Sequence, residues 1–181
     1  MPSVDDYAAA PRTALLERLI ATPVELERAV AAAPDAQLGR RPEPGSWSAK
    51  EIVCHLRDVE ELFQVRFHTI LALDEPTLLV LGASREELAP WRFGERHPLD
   101  PDRWAEDRQY DRQDTREALR AFQRRRGEVV GVLKALSDAE WQRGGVHLAR
   151  GRLTLSQWAA SLAGHDDNHL AQLARALAGL R

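Results

Sequence analysis

His165 and His169 stand four residues apart in a stretch where Leu155, Trp158, Leu162, His165, His169, Leu173, Ala176 and Leu180 recur at steps of three and four. On a helix that spacing gathers all eight on one face, the face that turns toward neighbouring helices. Two imidazoles one turn apart on such a face can grip a single ion, as in helical metalloprotease motifs. They can equally form a buried hydrogen-bonded pair, because a buried polar group left unpaired costs about 1–3 kcal/mol. His55 falls between Ile52 and Val59 on an inward stripe of another segment. If the two segments touch, three imidazoles meet and leave coordination positions open for water or substrate, the arrangement of a catalytic metal rather than a closed structural one. Neither His-Glu-x-x-His nor Glu-x-x-His occurs in the chain, which argues against a zinc protease helix and a carboxylate-bridged di-iron bundle. The lone Cys54 excludes an internal disulfide and a Cys-rich zinc cluster.

Spacing nominates the residues around this trio. Asp58 follows His55 by three positions and Gln172 follows His169 by three, so each could orient an imidazole by accepting its second N–H, or hold a metal-bound water. Asp166 lies close enough to the pair to matter, whereas Asp167 is expected in solvent. Arg66, three turns beyond His55, could receive an anionic substrate group, although such an arginine more often lies along the surface with its stem packed. His68, His97 and His147 stand apart from the stripes, and Cys54, about 100° round the helix from His55, is read as a packing residue. Trp47 is expected to pack over the helix that follows it, as in a hydrophobic staple.

Four long helical segments must position these side chains. The first spans residues 13–33, with a kink expected at Pro23, or a start near Thr22 with Pro23 at the first helical position. Residues 38–47, with two prolines and two glycines, read as a loop. Ser48 with Glu51 forms a capping box that opens a helix to about residue 73. Residues 74–113 hold four prolines and two tryptophans and read as a long connection, either a surface crossing or a lid. Their scattered aspartates lack the spacing, glycine and final glutamate of a calcium loop. A third helix covers 114–136, with Arg124, Arg125 and Arg126 read as a mostly solvated face. A short helical turn at 137–141 and a glycine-rich loop containing His147 lead to a second capping box, Thr154 with Gln157, which starts the last helix, to about residue 180. Four long helices with extended connections specify an all-α four-helix bundle.

The chain of 181 residues is 44% hydrophobic and 29% charged, with a formal net charge of −3, consistent with one domain over residues 1–181. That charge lacks the basic excess of a nucleic-acid footprint. No apolar run reaches the roughly 18–20 residues of a membrane span, and no signal-like start is present. The expected location is cytoplasmic, with no nucleic-acid or membrane partner.

The segments SWSAKEIVCHLRDVE and GRLTLSQWAASLAGHDDNHLAQL resemble the DinB/YfiT superfamily, with its Trp-Ser-x-x-Glu-x-x-x-His-Leu-x-Asp motif and later His-x-x-x-His-x-x-Gln. The resemblance extends from Trp47 to Leu177. It implies a four-helix bundle of up-down-down-up topology and one divalent ion, usually nickel or zinc, on His55, His165 and His169. It also implies a metal-dependent enzyme acting on a small molecule, either a transferase or isomerase using a low-molecular-weight thiol (bacillithiol, mycothiol or glutathione) or a hydrolase. Lowering the pKa of a bound water or thiol would generate the nucleophile. The alternative is a non-catalytic, metal-stabilised stress or interaction protein. A nucleic-acid role, raised by the family name's association with DNA damage, is opposed by the net charge. A homodimer through an apolar patch on the first or third helix is left open.

Overall fold

A computed structural model describes residues 4–78, 101–148 and 150–180. Its elements are α1 (Val4–Ala9), α2 (Arg12–Ala31), α3 (Asp35–Leu38), α4 (Ala49–Ala72), β1 (Thr77–Leu78), α5 (Pro101–Asp107), a 3₁₀ turn (Tyr110–Arg112), α6 (Thr115–Ala135), α7 (Asp138–Trp141), β2 (Gly144–His147), β3 (Gly151–Thr154) and α8 (Leu155–Ala178). The expected boundaries of the last three long helices hold because their caps are chemical. Ser48 and Thr154 form the two capping boxes, and the Asp114 carboxylate accepts from the Glu117 N–H at 2.7 Å. α8 ends at Gly179, whose φ of 74° is left-handed; there the Leu180 N–H reaches back to the Arg175 carbonyl.

α2 differs from expectation. It runs unbroken through Pro23, although proline removes the bond that would reach the Leu19 carbonyl. That carbonyl instead accepts from Arg126 Nη1 at 3.0 Å, across the bundle from α6. A tertiary contact thus replaces the lost helical one.

α2 packs against α6 and α8, and α4 packs against the same two helices. The four therefore stand in the ring order α2, α6, α4, α8. Helix directions follow from what joins at each end. β1, which follows α4, pairs in parallel with β2, which follows α6; β2 pairs antiparallel with β3, which leads into α8. Arg12 at the start of α2 bonds Asp138 in α7 at 2.7 Å. At the opposite end Gln37 donates to the Leu177 carbonyl at 2.9 Å. So α2 and α8 run one way, α4 and α6 the other, which is the up-down-down-up order.

A small three-stranded sheet replaces the expected glycine-rich loop at 144–151. Its strands are two to four residues long, too short to show alternation, and its glycines disguise it. A Cβ on Gly145 would stand 2.7 Å from Leu78 Cδ1 and 3.0 Å from the Pro76 carbonyl oxygen, so the glycine is what lets β1 approach β2. Trp141, Trp158, Phe63, Phe67 and Leu133 pack in one core cluster, and Ile52, Leu56, Phe122, Tyr110 and Leu173 in a second. Among the described residues no helix is long and apolar enough to cross a membrane. Most of the 74–113 connection, including His97, lies outside the described residues; its last part, α5 and the 3₁₀ turn, docks on α4.

Candidate metal centre

His55 is carried by the first half of α4, two turns after the capping box, and is 2% exposed. His165 and His169 come from successive turns of α8. Because α4 and α8 are ring neighbours, the three imidazoles meet: one nitrogen from each lies within 4.8 Å of the others, and Nε2 of His55 is 3.1 Å from Nε2 of His165. The ring centroids are 4.3–5.2 Å apart. Two nitrogens each about 2.1 Å from a tetrahedral ion stand about 3.4 Å apart, close to the observed separation.

The protonation state suits ligands. Burial pulls His55 down to about 3, helped by repulsion from His169. Burial also takes His165 well below its ordinary value, with further repulsion from His169, His55, Arg126 and Arg66. His169 is lowered by burial, against an opposing hydrogen bond to Gln172. That bond, 2.7 Å from Nδ1 to Gln172 Oε1, fixes a tautomer, since a carbonyl oxygen only accepts: Nδ1 carries the hydrogen and Nε2 keeps its lone pair. The buried Nδ1 atoms of His55 and His165 have no hydrogen-bond partner, so protein groups alone leave this cluster only partly satisfied. Three neutral, convergent imidazoles with surplus lone pairs fit a divalent ion.

Neutral histidines held largely out of water also set a pH dependence for the metal-free protein. Unfolded, each binds a proton near pH 6.5; folded, only at lower pH, near 3 for His55. At pH 7 neither state is protonated and the groups contribute nothing. Below about 6.5 the unfolded state takes up protons first, so stability falls with acidification, by up to about 1.4 kcal/mol per pH unit for each histidine. Urea unfolding of chelator-treated protein at pH 7, 6 and 5 should show this fall, and His55→Gln should flatten it. Equal slopes in the two proteins would exclude His55 from the effect.

Of the two residues expected to orient the imidazoles, Gln172 does so and Asp58 does not. The Asp58 carboxylate accepts from Tyr110 Oη at 2.6 Å, Arg57 Nε at 2.8 Å and Arg108 Nη1 at 2.9 Å. It anchors the end of the crossover to α4. The reason is angular: three residues on from His55 is 60° short of a full turn, and that side meets the docked 3₁₀ turn. Other expectations also change. Asp167, expected in solvent, accepts from Tyr7 Oη at 2.6 Å and pairs with Arg18 at 3.1 Å. Arg126, expected on a solvated face, is 1% exposed between Glu60 and Asp166. Arg66 is buried with its guanidinium 4.7 Å from the Phe63 ring and 4.9 Å from the Trp158 ring, and desolvation brings it down to about 9. His147 stacks on Trp158 at 5.5 Å, and His68 is exposed. Cys54 is fully buried and its thiol is pushed up to about 12 by burial, as a packing residue would be.

Trp47 does more than cover its helix. Its ring is 4.9 Å from His55 and stacks on His169, 6.3 Å between centroids at an interplanar angle of 13°. Its place just before the capping box, in the motif that also carries His55, was the sequence's hint of this wall of the cluster. Beside it a cleft of about 380 Å³ opens, lined by Trp47, Ser46, Asp102, His169, Gln172 and Arg175 among others. Of the histidine cluster, His169 lines this cleft.

The fold agrees with the comparisons to known proteins. The model of the DinB superfamily matches residues 18–173, and the chain belongs to that superfamily. A curated relative, YfiT of Bacillus subtilis (strain 168), is 24% identical over 152 residues, covering 83% of this chain and 75% of YfiT. A solved structure of YfiT superposes with a TM-score of 0.75 at 22% identity, over 91% of this chain and 85% of that one; it is described as a probable metal-dependent hydrolase with an unusual four-helix bundle topology. At that identity the likeness establishes the fold.

Proposed function

We propose that His55, His165 and His169 hold one divalent ion, zinc or nickel, and that the protein is a metal-dependent enzyme acting on a small molecule. The observation that carries this reading is the convergence of three neutral imidazoles beside an open cleft. When bound, the ion supplies Lewis acidity and makes a coordinated water or thiol acidic near neutral pH. The chain supplies the rest. Gln172 holds the His169 ring with its lone pair toward the cluster, and Trp47 closes one side against solvent. The description of YfiT favours hydrolysis. A low-molecular-weight thiol as co-substrate, with S-transfer as the reaction, is the variant suggested by the family resemblance.

Elemental analysis of untagged wild type beside His55→Ala, His165→Ala and His169→Ala tests this, with folding checked by circular dichroism. About one equivalent of metal in the wild type, lost in each folded variant, is the expected result. Folded wild type that stays empty after zinc and nickel are offered overturns it. With metal established, hydrolysis of a panel of small esters and amides is compared with thiol addition to electrophiles. A fourth protein ligand and no exchangeable water, seen by coordination spectroscopy, would instead indicate a non-catalytic, metal-stabilised protein.

A further inference from the structure

The cleft beside the cluster carries a charge that the metal chemistry does not use. His169, Gln172 and Arg175 follow one another along α8 at steps of three, and all three line that cleft. Arg175 lies six residues beyond His169, about 9 Å further along the helix at 1.5 Å per residue. Its guanidinium is exposed and, among the described residues, makes no ion pair or side-chain hydrogen bond. The acidic side chain on the cleft wall, Asp102, is engaged in an interaction of its own and repels an anion from its side. The ring of Trp47, stacked on His169, adds an apolar wall to the same cleft.

We infer that Arg175 is a substrate-anchoring residue, and that the site takes an elongated small molecule with an anionic group, carboxylate or phosphate, at one end. Its reacting group sits at the histidine trio, with an apolar stem along Trp47. This inference rests on the three-histidine metal reading above. An arginine fork binds carboxylate or phosphate through paired N–H donors. Its place in the last turn of α8 also suits the negative end of the helix dipole, but that effect would be felt in stability and not in ligand choice.

The test uses metal-loaded protein and two probes of equal length, 8-mercaptooctanoate and 8-mercaptooctanol, titrated by calorimetry. Each offers a thiol to the ion, and only the first offers an anion to Arg175. The expected result is tighter binding of the carboxylate by about tenfold in the wild type, lost in Arg175→Gln and kept in part in Arg175→Lys, with the alcohol bound equally by all three. Mercaptocarboxylates of two to four carbons should show a smaller advantage, because their anion stays nearer the trio than Arg175, six residues further along α8. Equal affinities of the two probes for wild type, or an equal loss of both in Arg175→Gln, overturns the anchoring role while leaving the metal site standing. Protein that holds no metal overturns the metal reading and this inference with it.

Discussion

Replacing Arg126 by Met is expected to destabilise the protein by about 3–5 kcal/mol, which for a chain of this length lowers Tm by roughly 6–20 °C. The reason is the completeness of its hydrogen bonding. A guanidinium has five N–H donors, and Arg126 uses all of them. Nε and Nη2 donate to the two Glu60 oxygens at 2.8 and 2.6 Å. Nη1 and Nη2 donate to the two Asp166 oxygens at 2.6 and 3.1 Å, and Nη1 also donates to the Leu19 carbonyl at 3.0 Å. Thr22 Oγ1 supplies Asp166 with a further donor at 2.8 Å. Glu60 and Asp166 are both 0% exposed, so removing the cation strands two buried carboxylates and the carbonyl that Pro23 left without a helical partner. Burial already raises Glu60 despite the arginine. Thermal and urea unfolding of Arg126→Met read the loss. Adding Glu60→Gln and Asp166→Asn should recover part of it, because the cost lies in the unpaired charge rather than in lost packing. Arg126→Lys should recover less than half, since three donors on one nitrogen cannot reproduce two forks. A loss below about 1 kcal/mol in Arg126→Met would show that the network contributes little.

The second large effect concerns the metal. An ion that binds the folded but not the unfolded chain stabilises by the logarithm of its saturation, about 4 kcal/mol at a thousandfold excess over Kd. Adding zinc or nickel to metal-free protein should therefore raise Tm by roughly 8–16 °C, and a chelator should reverse the gain. In His55→Ala the rise should fall to near zero, because the two remaining ligands come from one helix and no longer tie α4 to α8. The Arg126 network holds the same two helices, through Glu60 on α4 and Asp166 on α8, so Arg126→Met should also weaken the metal by lowering the fraction of chains with the trio assembled. Calorimetric scans with and without metal measure both effects. A full metal-induced rise in His55→Ala would place the ion elsewhere.

Much of this was legible in the sequence for local reasons. The capping boxes at Ser48 and Thr154 and the cap at Asp114 act within four residues, so they mark helix starts whatever surrounds them. The stripes through His55 and through His165 and His169 have a period that only a helix turns into a face, and the three imidazoles meet if those two faces touch. Gln172 was found because it shares its turn with His169. Asp58 was misjudged because spacing along one helix does not tell what docks on its other side, here Tyr110 and Arg108. Trp47 stands outside any periodic stripe, so beyond its place beside the cap and in the motif it shares with His55 nothing in the spacing signalled its contact with two imidazoles.

The sequence by itself determined the long helices, the starts of the last three and the three histidines on their inward faces, because these depend on interactions between residues at most a few turns apart. Only the tertiary structure decided where Arg126 goes, why α2 passes through Pro23 intact, and that glycines 144 and 145 lie in a strand. Each of these rests on contacts between residues far apart in the chain: Leu19 with Arg126, Glu60 and Asp166 with the same arginine, Leu78 with Gly145. A run of three arginines reads as solvated until two buried carboxylates from other helices are placed against one of them, and local pattern holds no information about that meeting.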